Sequence, residues 1–224
     1  MELKEVLNKL QELGDERARK IWARTGLDVS NYYGVNLTKL KKLAKDIKKD
    51  HGLALELWET GIHDAKLLAT MVEDPKQATE DQIDKWISEA QHWDLSDKLA
   101  SNVVVKTPFA EKKIEEWLIV DKEFYRRSAF ALIGGLAKNK KSQLDFDSYL
   151  DLISDALDDK YNFVRDGANM ALISVGARSK ELHQKALKIA KDHGKVEVDY
   201  GDNSCEALDA VKHLTSERIL KKIK

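Results

Sequence analysis

The chain has 224 residues, of which 42% are apolar and 34% charged, with two prolines and one cysteine, Cys205. This composition is typical of a folded globular protein, and it excludes a disordered chain, an internal disulfide and a cysteine-cluster zinc site. The lone cysteine leads us to expect a cytoplasmic protein. No apolar run approaches the roughly 20 residues that span a bilayer, so we expect no membrane segment.

The net charge of −1 conceals an uneven charge distribution. The stretch KLKKLAKDIKK, residues 39–49, holds six lysines and one acid, whereas residues 145–159 hold six aspartates and no base. This pattern predicts a basic face and an acidic back. Ordinary solvated helix faces are the alternative explanation.

Apolar residues recur at spacings of three and four along the chain, which predicts amphipathic helices and an all-α fold. In chain order the clearest stripes are Leu37/Leu40/Leu43/Ile47, Ile62/Ala65/Leu68/Val72, Ile114/Trp117 and Tyr149/Leu152/Ile153/Ala156. Thr79 and Gln82 have the spacing of a helix-starting capping box. The tetrapeptide KDHG occurs at residues 49–52 and 191–194, and each copy predicts a helix end with its glycine in the left-handed conformation.

Two segments repeat at a period typical of helical repeats. YRRSAFALIGG begins at Tyr125 and VRDGANMALIS at Val164, so that Arg126 and Arg165 stand 39 residues apart. Such repetition predicts stacked antiparallel helix pairs that form an α-solenoid with a concave face. We expect one domain over residues 1–224, with residues 195–224 as a C-terminal capping segment that forms a turn and a closing helix.

The segment HWDLSDKLASNV, residues 92–103, has two interpretations. In the first, Asp94 is the N-cap of a helix, Asp97 is its third residue and Trp93 is a hydrophobic staple. In the second, Trp93 and Asp97 are spaced i, i+4, so that a helix presents an indole and a carboxylate on one face.

Other chemical signatures are weak. The six histidines lack HExxH or a comparable ligand spacing, and the chain has no phosphate loop, GxGxxG or GxSxG motif. We therefore expect no metal and no cofactor.

Four blocks of the sequence, in this order, resemble the bacterial DNA alkylation repair family of HEAT-like-repeat DNA glycosylases, which remove alkylated purines such as 3-methyladenine and 7-methylguanine. The blocks are NYYGVNLTKLKKLAKDI (31–47), ELWETGIHDAKLLATMVEDP (56–75), HWDLSDKLASNV (92–103) and FYRRSAFAL (124–132). The resemblance implies HEAT-like helix pairs whose concave, basic face holds duplex DNA.

The resemblance also implies roles for single residues. Trp93 and Asp97 match the family's tryptophan and aspartate beside the lesion, and Arg127 resembles its arginine for the DNA backbone. Met170 stands where the family has a second aromatic wall, and it lacks the negative π face that attracts a cation. Lysines of the basic stretch, Lys41 and Lys45 among them, would add salt-sensitive, sequence-independent affinity for DNA if they line the cradle.

From these features we expect a monomeric, cofactor-free DNA glycosylase for cationic alkylpurines. Asp97 would stabilise the oxocarbenium-like sugar or orient water, beside Trp93. The alternative is a non-catalytic module that binds damaged or branched DNA on the same scaffold. A protein-binding solenoid is a third class.

Overall fold

The computed structural model describes residues 1–223 and is helical throughout, with no strand in that range. The α-helices are α1 (Leu3–Leu13), α2 (Glu16–Ala23), α3 (Leu37–Ile47), α4 (His51–Glu59), α5 (His63–Val72), α6 (Glu80–Ser88), α7 (Trp93–Asn102), α8 (Ala110–Leu118), α9 (Glu123–Lys138), α10 (Tyr149–Ala156), α11 (Asn162–Gly176), α12 (Lys180–His193), α13 (Ala210–Leu214) and α14 (Glu217–Lys222). A short 3-10 helix covers Val104–Lys106. The all-α prediction is confirmed. Every described helix is too short or too polar to cross a lipid bilayer.

The backbone divides into two compact units. Unit 1 comprises Met1–Thr107 and Tyr200–Ser204, and unit 2 comprises Pro108–Asp199 together with the residues from Cys205 onward. Unit 1 therefore holds α1 to α7 and the 3-10 helix, whereas unit 2 holds α8 to α14. The predicted single domain over residues 1–224, capped by residues 195–224, stays a prediction.

Unit 1 is arranged around α5, which packs against α3, α4 and α7. Eight of the ten residues of α5 are buried, among them Leu68. Leu40 and Leu43 of α3 are buried as the apolar stripe predicts, and Trp58 stacks on Trp86 with ring centroids 4.2 Å apart. Apolar burial on this scale is the main driving force for folding.

Unit 2 is built on close packing between α9 and α11, with α8 on α9 and both α10 and α12 on α11. Ala129 and Ala168, which occupy equivalent positions of the predicted repeat, are both fully buried. A β-carbon added at Gly167 would lie 3.3 Å from Cγ of Arg127, so the two helices approach closely there. Small side chains at the repeat positions thus permit this approach.

The predicted helix signals are confirmed in two places and wrong in a third. Thr79 and Gln82 form the capping box at the start of α6, and α12 ends at His193 with Gly194 at φ 83°. The first KDHG is instead a helix start, because Asp50 is the N-cap of α4 and its carboxylate accepts a bond from the Leu53 N–H. The positive φ falls on Lys48, at φ 69° and ψ −153°, which follows the last residue of α3.

Candidate functional site

The helix α7 begins at Trp93, with His92 as an extended N-cap residue at φ −148° and ψ 148°. Asp94 is therefore the second residue of the helix and Asp97 the fifth. The capping interpretation of Asp94 and Asp97 is wrong, because tertiary partners bind the Asp94 carboxylate. His63 Nε2 lies 3.0 Å from Oδ2 and His92 Nδ1 lies 2.7 Å from Oδ1.

The Asp94 carboxyl group is ionised in this setting. Burial acts to raise its pKa, but the hydrogen bonds from His63 and His92 outweigh burial and hold the pKa well below its usual value. The first turn of α7 adds favourable backbone N–H dipoles. Asp94 is therefore a fixed negative charge, 8% exposed, inside unit 1.

Trp93 and Asp97 lie one helical turn apart on α7, and both are half-buried. The Trp93 ring packs 5.6 Å from the Trp22 ring and 5.2 Å from the His92 ring, measured between centroids. Asp97 is the fifth residue of α7 and lies beyond its first turn. The N–H groups that lack a partner within the helix, and that an acidic side chain could bind, belong to that first turn. The arrangement of an indole and a carboxylate at i, i+4 is thus present, and the catalytic roles of Trp93 and Asp97 stay predictions.

A basic depression, here called the lysine hollow, lies on α3, α5, α7 and the 3-10 helix of unit 1. It has a volume of about 240 Å³ and is lined by Lys41, Ala44, Lys49, Met71, Lys98, Asn102 and Lys106. No acidic side chain is part of this lining. Four cations that face one hollow without a counter-charge in its wall create a positive potential.

Two lysines of the hollow are held by hydrogen bonds to backbone carbonyl groups, and the pKa of one of them is lowered. Nζ of Lys49 donates to the carbonyl oxygens of Met71 (3.0 Å) and Glu73 (2.7 Å), and Nζ of Lys106 donates to that of Asn102 (2.9 Å). Burial, and then the charge of Lys106, lowers the pKa of Lys49. Lys49 and Lys106 are thus close enough for their charges to repel each other, while the charges of Asp74 and Glu73 act in the opposite direction on the pKa of Lys49.

Two lysines of the hollow have no protein partner. The side chains of Lys41 and Lys98 make no hydrogen bond or ion pair within residues 1–223. Lys45 lies one turn beyond Lys41 on α3 and is exposed, but it is not part of the lining. Lys98 directly follows Asp97 in α7, which places the predicted carboxylate next to a residue of the lysine hollow.

Arg127 does not face solvent. It is 1% exposed, and its Nη1 donates to Asp166 Oδ2 and to the Phe163 carbonyl oxygen, both at 2.9 Å. Its neighbour Arg126 is more exposed and pairs with Asp159. The structure therefore gives Arg127 a role in joining α9 to α11, and its contact with the DNA backbone stays a prediction.

Met170 is 41% exposed on α11, so it lies at the surface of unit 2. It borders a hollow of about 290 Å³ whose lining includes Leu208 and the cationic side chains of Lys138, Arg218 and Lys222. A thioether among cations and apolar groups can pack against a sugar or base. A DNA contact of Met170 stays a prediction.

Sequence patterns predict only part of the lysine hollow. Lys98 and Asn102 are spaced i, i+4, so helical periodicity alone indicates that they share a face of α7. Their proximity to Lys41 and Lys49 has no sequence signal, because it depends on the packing of α5 between the helices. His63 and His92 likewise have no short sequence spacing, because α5 and the start of α7 bring them together only in the fold.

The amino-acid sequence is similar to that of a known protein family and of two bacterial proteins. The sequence model of the DNA alkylation repair enzyme family matches residues 6–201. Uncharacterized protein Lin0241 of Listeria innocua and uncharacterized protein Lmo0209 of Listeria monocytogenes are each 27% identical over 214 residues, which is 94% of either chain.

A solved structure is similar over the whole chain. It is described as belonging to a new family of proteins related to the HEAT-like repeat DNA glycosylases with affinity for branched DNA structures. The TM-score is 0.86 at 28% identity, and the match covers 100% of this chain and 96% of that one. The fold is therefore of the HEAT-like repeat type, and the chain belongs to the DNA alkylation repair enzyme family.

Proposed function

We propose that this protein binds branched DNA through phosphate contacts at the lysine hollow. The single observation that carries the proposal is the clustering of Lys41, Lys49, Lys98 and Lys106 around one hollow with no acid in its lining. Family membership and the similarity to a protein with affinity for branched DNA structures support the same ligand.

The physical basis is the release of counterions from DNA. Each phosphate that a lysine neutralises releases condensed cations, and the logarithm of the binding constant then falls with the logarithm of salt concentration by about 0.9 per contact. Lys41 and Lys98 enter this exchange without first breaking an ion pair in the protein. Their contribution is therefore not offset by the loss of an internal contact.

A branch point suits such a cluster better than a linear duplex does. Where two duplexes meet, their backbones converge and the local density of phosphate charge rises. Cations grouped in one hollow gain more from this density than cations spread along a groove. Recognition would then depend on backbone geometry rather than on base sequence.

The test compares binding of a four-way junction and a linear duplex of the same base composition across a series of salt concentrations, measured by fluorescence anisotropy. The double variant Lys41→Gln/Lys98→Gln should weaken junction binding by roughly tenfold and lower the steepness of the salt dependence by about 2. Lys4→Gln/Lys20→Gln removes the same charge from exposed positions of α1 and α2 and should have a much smaller effect. Equal losses in both double variants would refute a specific role for the hollow.

A second candidate function is excision of alkylated purines, favoured by the position of Asp97 beside Lys98 and one turn from Trp93. An N3- or N7-alkylated purine is already a good leaving group, so the charge that develops on the sugar is what needs stabilisation. A carboxylate about 4 Å from C1′ would contribute about 4 kcal/mol at an effective dielectric near 20. This corresponds to about a thousandfold in rate.

Release of 7-methylguanine and 3-methyladenine from methylated duplex DNA tests this candidate. If Asp97 acts on the sugar, Asp97→Asn should lower release by about a thousandfold, while Asp46→Asn, at an exposed acid of α3, should leave it unchanged. Equal release by Asp97→Asn and the unmodified protein would remove Asp97 from the mechanism. Tight junction binding without release by either would leave binding as the function.

A further inference from the structure

His63, His92 and Asp94 form a compact cluster in unit 1, here called the His cluster. One ligand atom from each lies within 4.8 Å of those from the other two. His63 is the first residue of α5, and His92 and Asp94 flank the start of α7. The two helices pack against each other, so the fold holds the three side chains together.

His92 has an oxygen atom near each of its ring nitrogens. Thr25 Oγ1 lies 2.6 Å from the Trp22 carbonyl oxygen, which can only accept, so the single hydroxyl proton of Thr25 points there. Thr25 Oγ1 also lies 3.2 Å from His92 Nε2, so it can accept a bond from Nε2–H when Nδ1 binds a cation.

The other ring nitrogen, His92 Nδ1, faces a carboxylate oxygen of Asp94 across 2.7 Å. In the metal-free protein Nδ1–H donates to this oxygen, and a metal cation bound to both atoms would take the place of that proton. A metal-binding histidine has this arrangement, since its other N–H donates to a fixed oxygen.

We propose that His63 Nε2, His92 Nδ1 and the Asp94 carboxylate bind one divalent cation of the Zn²⁺ type. Two imidazoles and one carboxylate are a common ligand set for zinc. Zinc lies about 2.0–2.2 Å from such ligands, so tetrahedral ligand atoms are roughly 3.3 Å apart. The separations of 3.0 and 2.7 Å to the Asp94 oxygens would widen by a few tenths of an ångström, and the widest separation in the cluster, at most 4.8 Å, would close by up to about 1.5 Å for one ion to reach all three groups.

A path to the cluster is present. His63 and His92 border a polar hollow of about 360 Å³, whose lining also includes Asp28, Ser30 and Asn31. Water from this hollow would fill the fourth coordination position. The ionised Asp94 supplies the negative charge that a buried cation needs.

The cation would organise the aromatic groups near the predicted glycosylase residues. His92 packs against Trp22, with centroids 5.7 Å apart, and against Trp93. By fixing the His92 ring, the metal would hold this aromatic group and join α5 to the start of α7. The site does not depend on the proposed function, because no residue of the His cluster lines the lysine hollow.

The experiment measures zinc bound to the full chain after removal of metals with a chelator, by equilibrium dialysis followed by metal analysis. We expect one Zn²⁺ per chain, a higher melting temperature with zinc, and binding weakened by more than about a hundredfold in His92→Gln and in His63→Gln, since loss of outer partners alone costs 10–100-fold. His51→Gln is the matched control, because His51 pairs with Glu73 at 2.7 Å and has no second imidazole in its site.

Two further measurements keep the result unambiguous. His92→Cys supplies a thiolate in place of the imidazole and should retain zinc, whereas a fold defect would abolish binding in both His92 variants. Urea unfolding in chelator shows whether each variant is folded before zinc is added. Failure of the unmodified protein to bind Zn²⁺, or undiminished binding in His92→Gln, would overturn the proposal.

Discussion

Arg127 in unit 2 and two lysines of the lysine hollow in unit 1 are cations in opposite settings. In unit 2, the guanidinium of Arg127 is buried and bonded to Asp166, whereas in unit 1 the ammonium groups of Lys41 and Lys98 face a hollow and have no partner in the described residues. A buried, paired cation contributes to the integrity of the fold. An unpaired cation at a surface is available for an external anion, so the two regions separate structural charge from binding charge.

The largest effect should follow from breaking the buried pair. Arg127→Ala leaves the Asp166 carboxylate buried without its partner, and we expect the free energy of unfolding to fall by about 3–5 kcal/mol, measured by urea denaturation. Lys160→Ala is the control, because both side chains of the Lys160–Asp121 pair in the same unit are more than half exposed. The urea midpoint of this variant should hardly change. A small change in Arg127→Ala would mean that the buried pair is not structural.

The buried carboxylate of Asp94 in unit 1 can be tested in the same way as the buried pair in unit 2. In metal-free protein, His92→Ala removes one hydrogen bond to the ionised Asp94 and should cost about 2 kcal/mol at pH 7. Because the pKa of Asp94 is lowered by folding, its contribution is present above about pH 4 and is lost as the pH falls through the lower folded pKa. The difference between the two proteins should therefore shrink in acid. A difference that grows below pH 4 would contradict this assignment.

The smallest effect sharpens the role of the lysine hollow. Met71→Glu places an acid in the hollow at a half-buried position, and Met71→Gln adds a neutral side chain of similar size. We expect the glutamate to weaken junction binding by about tenfold, or about 1.4 kcal/mol, at low salt. The glutamine should have little effect. Equal affinities of the two variants would show that charge in the hollow does not govern binding.

Local sequence patterns predicted much of the fold. The period of three and four residues predicted the helices, and the Thr79 capping box is in place, because these features depend on neighbours within one or two turns. The repeat in residues 125–135 and 164–174 predicted two equivalent helices, and these are α9 and α11. Such signals are local, so a single sequence contains them.

What the sequence did not predict depends on how side chains meet in the fold. Asp94 has the side chain of an N-cap, but His63 and His92 bind its carboxylate, and the helix starts earlier. Adjacent arginines point about 100° apart on a helix. Which of Arg126 and Arg127 faces inward depends on the position of Asp166 in the next repeat, and no local pattern contains that information.

Lys48, directly after α3, adds a positive charge next to the lysine hollow but lowers the stability of the fold. Its backbone, at φ 69° and ψ −153°, lies in a region that glycine alone occupies readily, and a side chain there costs about 1–3 kcal/mol. A glycine would relieve this strain but would remove an exposed cation beside Lys49. The variant Lys48→Gly should therefore have a higher free energy of unfolding and a lower affinity for polyanions.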